Sequence, residues 1–298
     1  MWNRNNGRMT LSSAVDPAGV TLTGITRYPV KSCRREPLSS AVVESWGLAG
    51  DRRWMLVDSE GSTYTARECP ALLLVVPTIT DDGLDLTAPG MEPIRVARPE
   101  DGVLVDVDVF SSRFQARLAA EEASAWFSEL TGKGVRLVYL DDPTRRGVNP
   151  DRSVPGDSVS MADGYPVLLA NEASLAALND WVADGPRAGD GPLPMTRFRP
   201  NLVVSGAEAW AEDSWRRIRI GGTSFRVVKG CDRCVMTLVD PETAAKTKEP
   251  ILSLSRHRKW DKKTWFAVNL IPDQSGDVLK VGDEVEVLER VESTEPQR

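Results

Sequence analysis

Phe198-Arg199-Pro200-Asn201-Leu202-Val203-Val204 opens a stretch that passes through Glu212-Asp213-Ser214-Trp215 and closes on Cys231-Asp232-Arg233-Cys234. Between these ends, β-branched and aromatic residues recur in short runs at 201–204, 215–220 and 224–229, the composition of strands. Further runs at 235–239, 264–270, 278–281 and 285–288 continue the pattern. Upstream, 20–25 alternates apolar and polar residues as a half-buried strand does. Short β-like runs follow at 41–43, 53–57, 63–67, 72–80, 84–87, 93–97 and 102–107, punctuated by Gly and Asp turns. Helical spacing shows over 118–130, ended by Thr131-Gly132, and again from Asn171, a plausible N-cap for Leu175, Leu178 and Trp181. Residues 135–140 and 167–170 read as strands. The fold class is therefore mainly β with a few helices, α+β, in compact antiparallel sheets or barrels.

Residues 1–17 are polar and aperiodic and read as a disordered leader. Residues 141–157, with Pro143, Pro150, Pro155 and Gly147, have neither period and read as a linker or a loop over a site. The division that follows is a first domain over 18–140 and a second over 158–292.

The 298 residues are 41% hydrophobic, enough for a buried core. No apolar run approaches the roughly 20 residues of a membrane span, and no signal-peptide core is present, so a cytoplasmic location is expected. With 37 basic and 43 acidic residues the net charge is −6, which disfavours a nucleic-acid partner. A single histidine, His257, leaves any multi-histidine metal site or nucleophile–histidine pair hanging on one residue. It lies between cations and reads as a solvated surface residue. No glycine pattern of the dinucleotide or P-loop kind follows a strand.

Cys231-x-x-Cys234 has four readings. A redox pair requires a helix N-terminus after it, whereas Val235-Met236-Thr237-Leu238-Val239 reads as a strand ended by Pro241. A structural zinc site requires two further ligands, and Cys33 and Cys69 are far away in sequence. Two cysteines packed as small hydrophobes are the plain alternative. The fourth reading is a thiolate that completes the coordination of a metal already held by an organic cofactor. That reading calls for cofactor anchors, and Lys31-Ser32, Asp51-Arg52-Arg53 and Arg199-Pro200-Asn201 are cations near strand ends suited to phosphate. Each of these taken alone reads rather as a solvated charge; only the combination with Cys234 favours the anchor reading.

The series Tyr28-Pro29-Val30-Lys31-Ser32, Gly50-Asp51-Arg52-Arg53-Trp54, Thr65-Ala66-Arg67, Asn171-Glu172-Ala173-Ser174-Leu175, Phe198-Arg199-Pro200-Asn201, Glu212-Asp213-Ser214-Trp215 and Cys231-Asp232-Arg233-Cys234 resembles the two-part MOSC proteins. These have an N-terminal MOSC β-barrel domain packed on a β-barrel MOSC domain, as in amidoxime-reducing proteins. The resemblance runs in order from about residue 20 to 290. It implies a molybdenum cofactor, a pterin dithiolene with a phosphate tail whose metal takes one protein thiolate. By that resemblance Cys234 is the molybdenum ligand and catalytic residue, and Cys231 is a neighbour. Lys31, Ser32 and Arg52 hold the phosphate, Arg199 and Asn201 contact pterin or phosphate edges, and Asp163 belongs to the cofactor loop.

The resemblance further implies reduction of small N-hydroxylated compounds such as amidoximes, hydroxylamines and N-hydroxylated bases. The cofactor carries the chemistry and the protein supplies orientation and electrostatics. No Cys-x4-Cys-x2-Cys ferredoxin pattern is present, so the expected electron donor is a separate protein of ferredoxin, flavodoxin or reductase type. The basic cluster Arg256, Arg258, Lys259, Lys262 and Lys263 is a candidate docking patch for it, with an ordinary charged loop as the alternative. MOSC domains also end cofactor sulfurases, which makes a non-catalytic cofactor carrier or sulfur-transfer module the competing function.

Overall fold

The computed structural model of the chain describes residues 19–293 and 295–298; the leader expected over 1–17 lies outside them. Strands dominate, with three α-helices among the described residues: α1 (Glu121–Thr131), α2 (Glu172–Ala183) and α3 (Ile251–His257). Seven strands close a barrel in the order Val167–Asn171, Leu202–Ser205, Val20–Arg27, Glu284–Arg290, Trp215–Ile220, Thr223–Asp232 and Lys263–Pro272, the last pairing back to the first. Every junction is antiparallel except Val167–Asn171 with Leu202–Ser205, which α2 connects as a crossover.

The first strand therefore completes a barrel whose other strands all come from beyond residue 160. Its alternation explains why it can: Val20, Leu22 and Ile25 point into the core with Trp215, Ile218 and Phe225, while Thr21 and Thr23 point away. A bulge between Leu22 and Gly24 shifts the register against Leu202–Ser205. A Cβ on Gly24 would lie 3.3 Å from the Val203 Cβ, so glycine allows the two backbones to approach this closely. A second tie runs through Ser40–Glu44, which pairs with Val278–Lys280. Sheet membership thus does not follow the sequence division at 141–157.

Five further first-half strands form an open antiparallel sheet ordered Leu104–Val109, Ser112–Leu118, Arg136–Tyr139, Trp54–Val57 and Thr63–Tyr64. A three-stranded sheet, Val76–Ile79, Gly83–Thr87 and Ile94–Ala97, shares its core, in which Trp54, Leu56, Leu84, Leu86, Phe127 and Leu137 are buried. Helix α1 lies over this core and ends where Gly132 takes a left-handed φ of 64°. Asn171 caps α2 as its residue type implies, accepting from the Ala173 amide at 3.1 Å.

Three sequence readings are corrected. Residues 235–239 are not a strand: Val235–Leu238 is a 3-10 turn, drawn tight because the Thr237 amide and hydroxyl both donate to the Cys234 carbonyl, at 3.1 and 2.9 Å. Propensity there lost to a local hydrogen-bonded turn. The run 72–80 divides into a 3-10 turn, Pro70–Leu74, and the strand Val76–Ile79. Helix α1 begins at Glu121, not 118, because Leu118 still belongs to the strand Ser112–Leu118.

Because Leu22 is fully buried in the shared barrel, Leu22→Ala is expected to cost about 2–5 kcal/mol. Hydrogen exchange should show the loss at the amides of Ile218 and Val268, in strands more than 190 residues away in sequence. Loss of protection confined to residues before 140 would contradict a barrel closed by the first strand.

Candidate functional site

Strand ends from the barrel and from the open sheet meet at one cleft of about 150 Å³ that opens to solvent. Lys31, Ser32, Arg52, Asp163, Arg199, Asn201 and Cys234, separated by up to two hundred positions in sequence, all line it. The Lys31-Ser32 turn follows the first barrel strand and is held by the Lys31 amide donating to the Trp54 carbonyl at 2.8 Å. Arg52 lies two residues before the open-sheet strand Trp54–Val57, and its carbonyl accepts from the Met161 amide at 2.9 Å, which places the Asp163 loop alongside. Asn201 leads into Leu202–Ser205, while Cys231 and Cys234 lie at the end of Thr223–Asp232.

Three of these residues have left-handed backbones although none is glycine: Ser32 at φ 70°, Arg52 at 48° and Arg199 at 53°. Such conformations cost on the order of 1–3 kcal/mol each and persist where surrounding structure imposes them. Here the constraints are visible. Arg52 donates to Asp51 and, at 3.2 Å, to the Asn201 side-chain oxygen; Arg199 donates to the Cys33 carbonyl at 2.9 Å. The two guanidiniums lie over the buried Tyr28 ring, 4.5 and 4.1 Å from its centroid.

At the other side of the cleft the thiol of Cys234 is exposed, and the Arg67 guanidinium donates to its sulfur at 3.5 Å and to Asp163 at 3.2 Å. Cys231 is half-buried and occupied differently, its sulfur accepting from Arg233 at 2.8 Å. Cys33 is buried and Cys69 lies outside the cleft lining. No group of three or more His, Cys, Asp or Glu side chains suited to a metal ion occurs among the described residues. A metal at Cys234 would therefore have to arrive with its other ligands.

A model of the MOSC N-terminal beta barrel domain matches residues 19–134, and one of the MOSC domain matches residues 156–286. A mitochondrial amidoxime-reducing component 1 from Xenopus laevis is 32% identical over 87% of this chain and 79% of its own length. The chain belongs to the MOSC family. Its other relatives include a mitochondrial amidoxime reducing component 2 from Rattus norvegicus, 35% identical over 81% of this chain and 73% of that protein. A molybdenum cofactor sulfurase from Danio rerio is 33% identical over 93% of this chain but only 35% of its own length.

Cations outnumber acids in this MOSC cleft: Lys31, Arg52, Arg67, Arg199 and Arg233 against Asp163 and Asp232. Arg199 has no carboxylate within ion-pair distance among the described residues, and the buried Nε of Arg233 has no hydrogen-bond partner there. Burial lowers the Arg199 guanidinium and pushes the Lys31 amine down to about 8, the latter opposed by Asp163. At Asp163 the crowding of the cleft works upward, although its side chain is about half exposed, and Lys31, Arg67 and Arg52 outweigh it and hold the carboxyl below its usual range. Burial pushes the Cys33 thiol up to about 12, leaving it a packing residue.

Two contributors were not assigned as site residues from sequence. Arg67 carries the same signal as Arg52, a cation near a strand end, and Thr65-Ala66-Arg67 is one of the segments that carried the resemblance. Arg146 had no signal, since it lies in the aperiodic 141–157 segment; it is buried and donates to the carbonyls of Ser160, Ala162 and Asp163 at 2.5, 2.5 and 3.2 Å, shaping the Asp163 loop. Arg258, expected in a basic surface patch, is instead buried and ion-paired with Asp213 between Trp210 and Trp260. Lys263 pairs with Asp232 at 3.1 Å. His257 is exposed, as expected, and stacks on Trp181 at 4.4 Å.

Because the Lys31 amine loses its proton near pH 8 in the fold and near ~10.4 when unfolded, the unfolded chain binds more protons between these values. This group's contribution to stability therefore rises with pH across that window. Asp163→Asn removes the opposing charge and should lower the Lys31 midpoint by roughly one unit or more, read from NMR titration of 13C-labelled lysine. A Lys31 midpoint that stays near 10, or that does not move in the variant, would contradict the coupling.

Proposed function

We propose that this MOSC protein binds molybdenum cofactor in the cleft and reduces N-hydroxylated compounds with electrons from a separate redox protein. The observation that carries the reading is the pairing of an exposed thiol, Cys234, with a cleft whose cations exceed its acids and include a half-buried Arg199 with no carboxylate partner among the described residues. A dianionic phosphate tail and a soft metal with one open thiolate position match that donor set.

In this reading Lys31, Ser32, Arg52 and Arg199 hold the phosphate tail and the pterin edge, and Cys234 supplies the protein sulfur to molybdenum. Asn201 supports these contacts, because its side chain already bonds Arg52, the Thr26 carbonyl at 3.1 Å and the Leu168 amide at 3.2 Å. Asp163 keeps Lys31 and Arg67 in place by ion pairs to both. When bound, the cofactor supplies two-electron removal of oxygen from an N–O bond. The overall change consumes two electrons and two protons and yields the reduced nitrogen compound and water. The Lys31 Nζ, with its midpoint near 8, retains a proton at neutral pH and stays a cation. Arg256, Lys259 and Lys262 remain exposed and form the reduced version of the basic patch, a docking surface for an acidic donor.

A cofactor carrier or sulfur-transfer module would use the same thiol and anion site. Turnover separates the two. Protein produced in a host that makes molybdenum cofactor should convert benzamidoxime to benzamidine with a reduced viologen as donor. Cys234→Ser should lose at least about a hundredfold in rate, or ~2.7 kcal/mol. Cofactor-loaded protein that forms no benzamidine would contradict the reductase reading and leave the carrier.

A further inference from the structure

Phe110 breaks two local rules at once. It is the first residue of the two-residue turn joining Leu104–Val109 to Ser112–Leu118, with φ at 55°. That turn position favours glycine or asparagine, and a bulky aromatic residue in the left-handed region is disfavoured. Its ring is also 66% exposed, so burial does not offset the strain. The turn closes a long, regular hairpin, Val109 pairing with Ser112, and nothing in the ladder requires an aromatic side chain there.

What the ring does touch is Arg67, whose guanidinium carbon lies 5.4 Å from its centroid. Arg67 is the cleft residue that reaches Cys234 and Asp163, so a strained, exposed aromatic is held one guanidinium away from the exposed thiol. Local rules fail in this manner where a side chain serves a ligand and not the fold.

We propose that Phe110 is a specificity-determining residue at the cleft mouth, offering an aromatic face to substrates whose N-hydroxy group is carried on a planar apolar body. The inference rests on the reductase reading above. The Arg67 contact restricts the ring's position in advance, so stacking a flat substrate on it loses less side-chain freedom than stacking on a free phenylalanine. A small substrate such as hydroxylamine has no surface to place there. The ring thus sorts substrates by their body, while Cys234 and the cations address what all of them share.

The test compares benzamidoxime with hydroxylamine, using loaded protein and a reduced viologen so that no protein donor is involved. An aromatic contact of ordinary strength predicts that Phe110→Ala lowers the benzamidoxime-to-hydroxylamine ratio of kcat/KM by about five- to tenfold, mainly through KM. Phe110→Tyr should restore the ratio. A ratio within about twofold of wild type would overturn the proposal; repeating the comparison with a protein donor in place of the viologen then shows whether the ring serves partner docking instead. A second readout does not depend on turnover. In protein bearing 4-fluorophenylalanine, the resonance absent from Phe110→Ala should shift on adding benzamidoxime and not on adding hydroxylamine. If wild-type protein turns over neither compound, the reductase reading fails, and this titration still decides whether Phe110 meets aromatic ligands; no shift would overturn the proposal.

Discussion

The carboxamide of Asn201 is the tie on which the arrangement depends. Its nitrogen donates to the Thr26 carbonyl and its oxygen accepts from the Leu168 amide and from Arg52. With the residue 1% exposed, these partners stand in for water, and leaving any of them unpaired would cost on the order of 1–3 kcal/mol. The Thr26 amide and Leu168 carbonyl complete the connection through the Asn201 backbone, at 2.7 and 2.8 Å. One residue therefore fixes the first barrel strand, the Val167–Asn171 strand and a cleft arginine relative to one another.

From that tie the cleft follows. Once Val20–Arg27 is locked into the barrel, the Lys31-Ser32 turn must emerge beside Arg199, and the parallel bridge from Val30 to Trp54 brings Arg52 to the same place. Converging cations repel, and the fold offsets this with a few groups: Asp51 for Arg52, Asp163 for Lys31 and Arg67, and the Tyr28 face for two guanidiniums. Among the described residues Arg199 is left without a carboxylate partner, and the Nε of Arg233 without a hydrogen-bond partner. A preorganised excess of donors is costly in the free protein and is the form an anion site takes, since the ligand then meets donors already in position.

How much of this could be read from the chain differs by residue. The cations at strand ends and the Asn171 cap were legible because local chemistry sets them: a charge next to proline or glycine, or a carboxamide before a helical period. The mainly β class was legible from the spacing of short runs. Membership of the first strand in the distant barrel was not, because alternation at Val20–Arg27 says which face is buried and nothing about which strands lie beside it. The Val235–Leu238 turn was misread because β-branched composition outweighed a threonine bonding back to the Cys234 carbonyl. Arg258 was misread as surface charge because its partners, Asp213 and two tryptophans, come from other elements. Phe110 offered no signal in sequence; its meaning lies in a backbone angle and in a contact with Arg67.

The central claim is that Cys234 is the protein ligand of a molybdenum held by an organic cofactor. X-ray absorption at the molybdenum edge tests it most directly, comparing cofactor-loaded wild type with Cys234→Ala, which on this account keeps the cofactor through the proposed phosphate contacts of Lys31, Arg52 and Arg199. The account predicts one sulfur neighbour fewer in the variant; an unchanged sulfur count would contradict it.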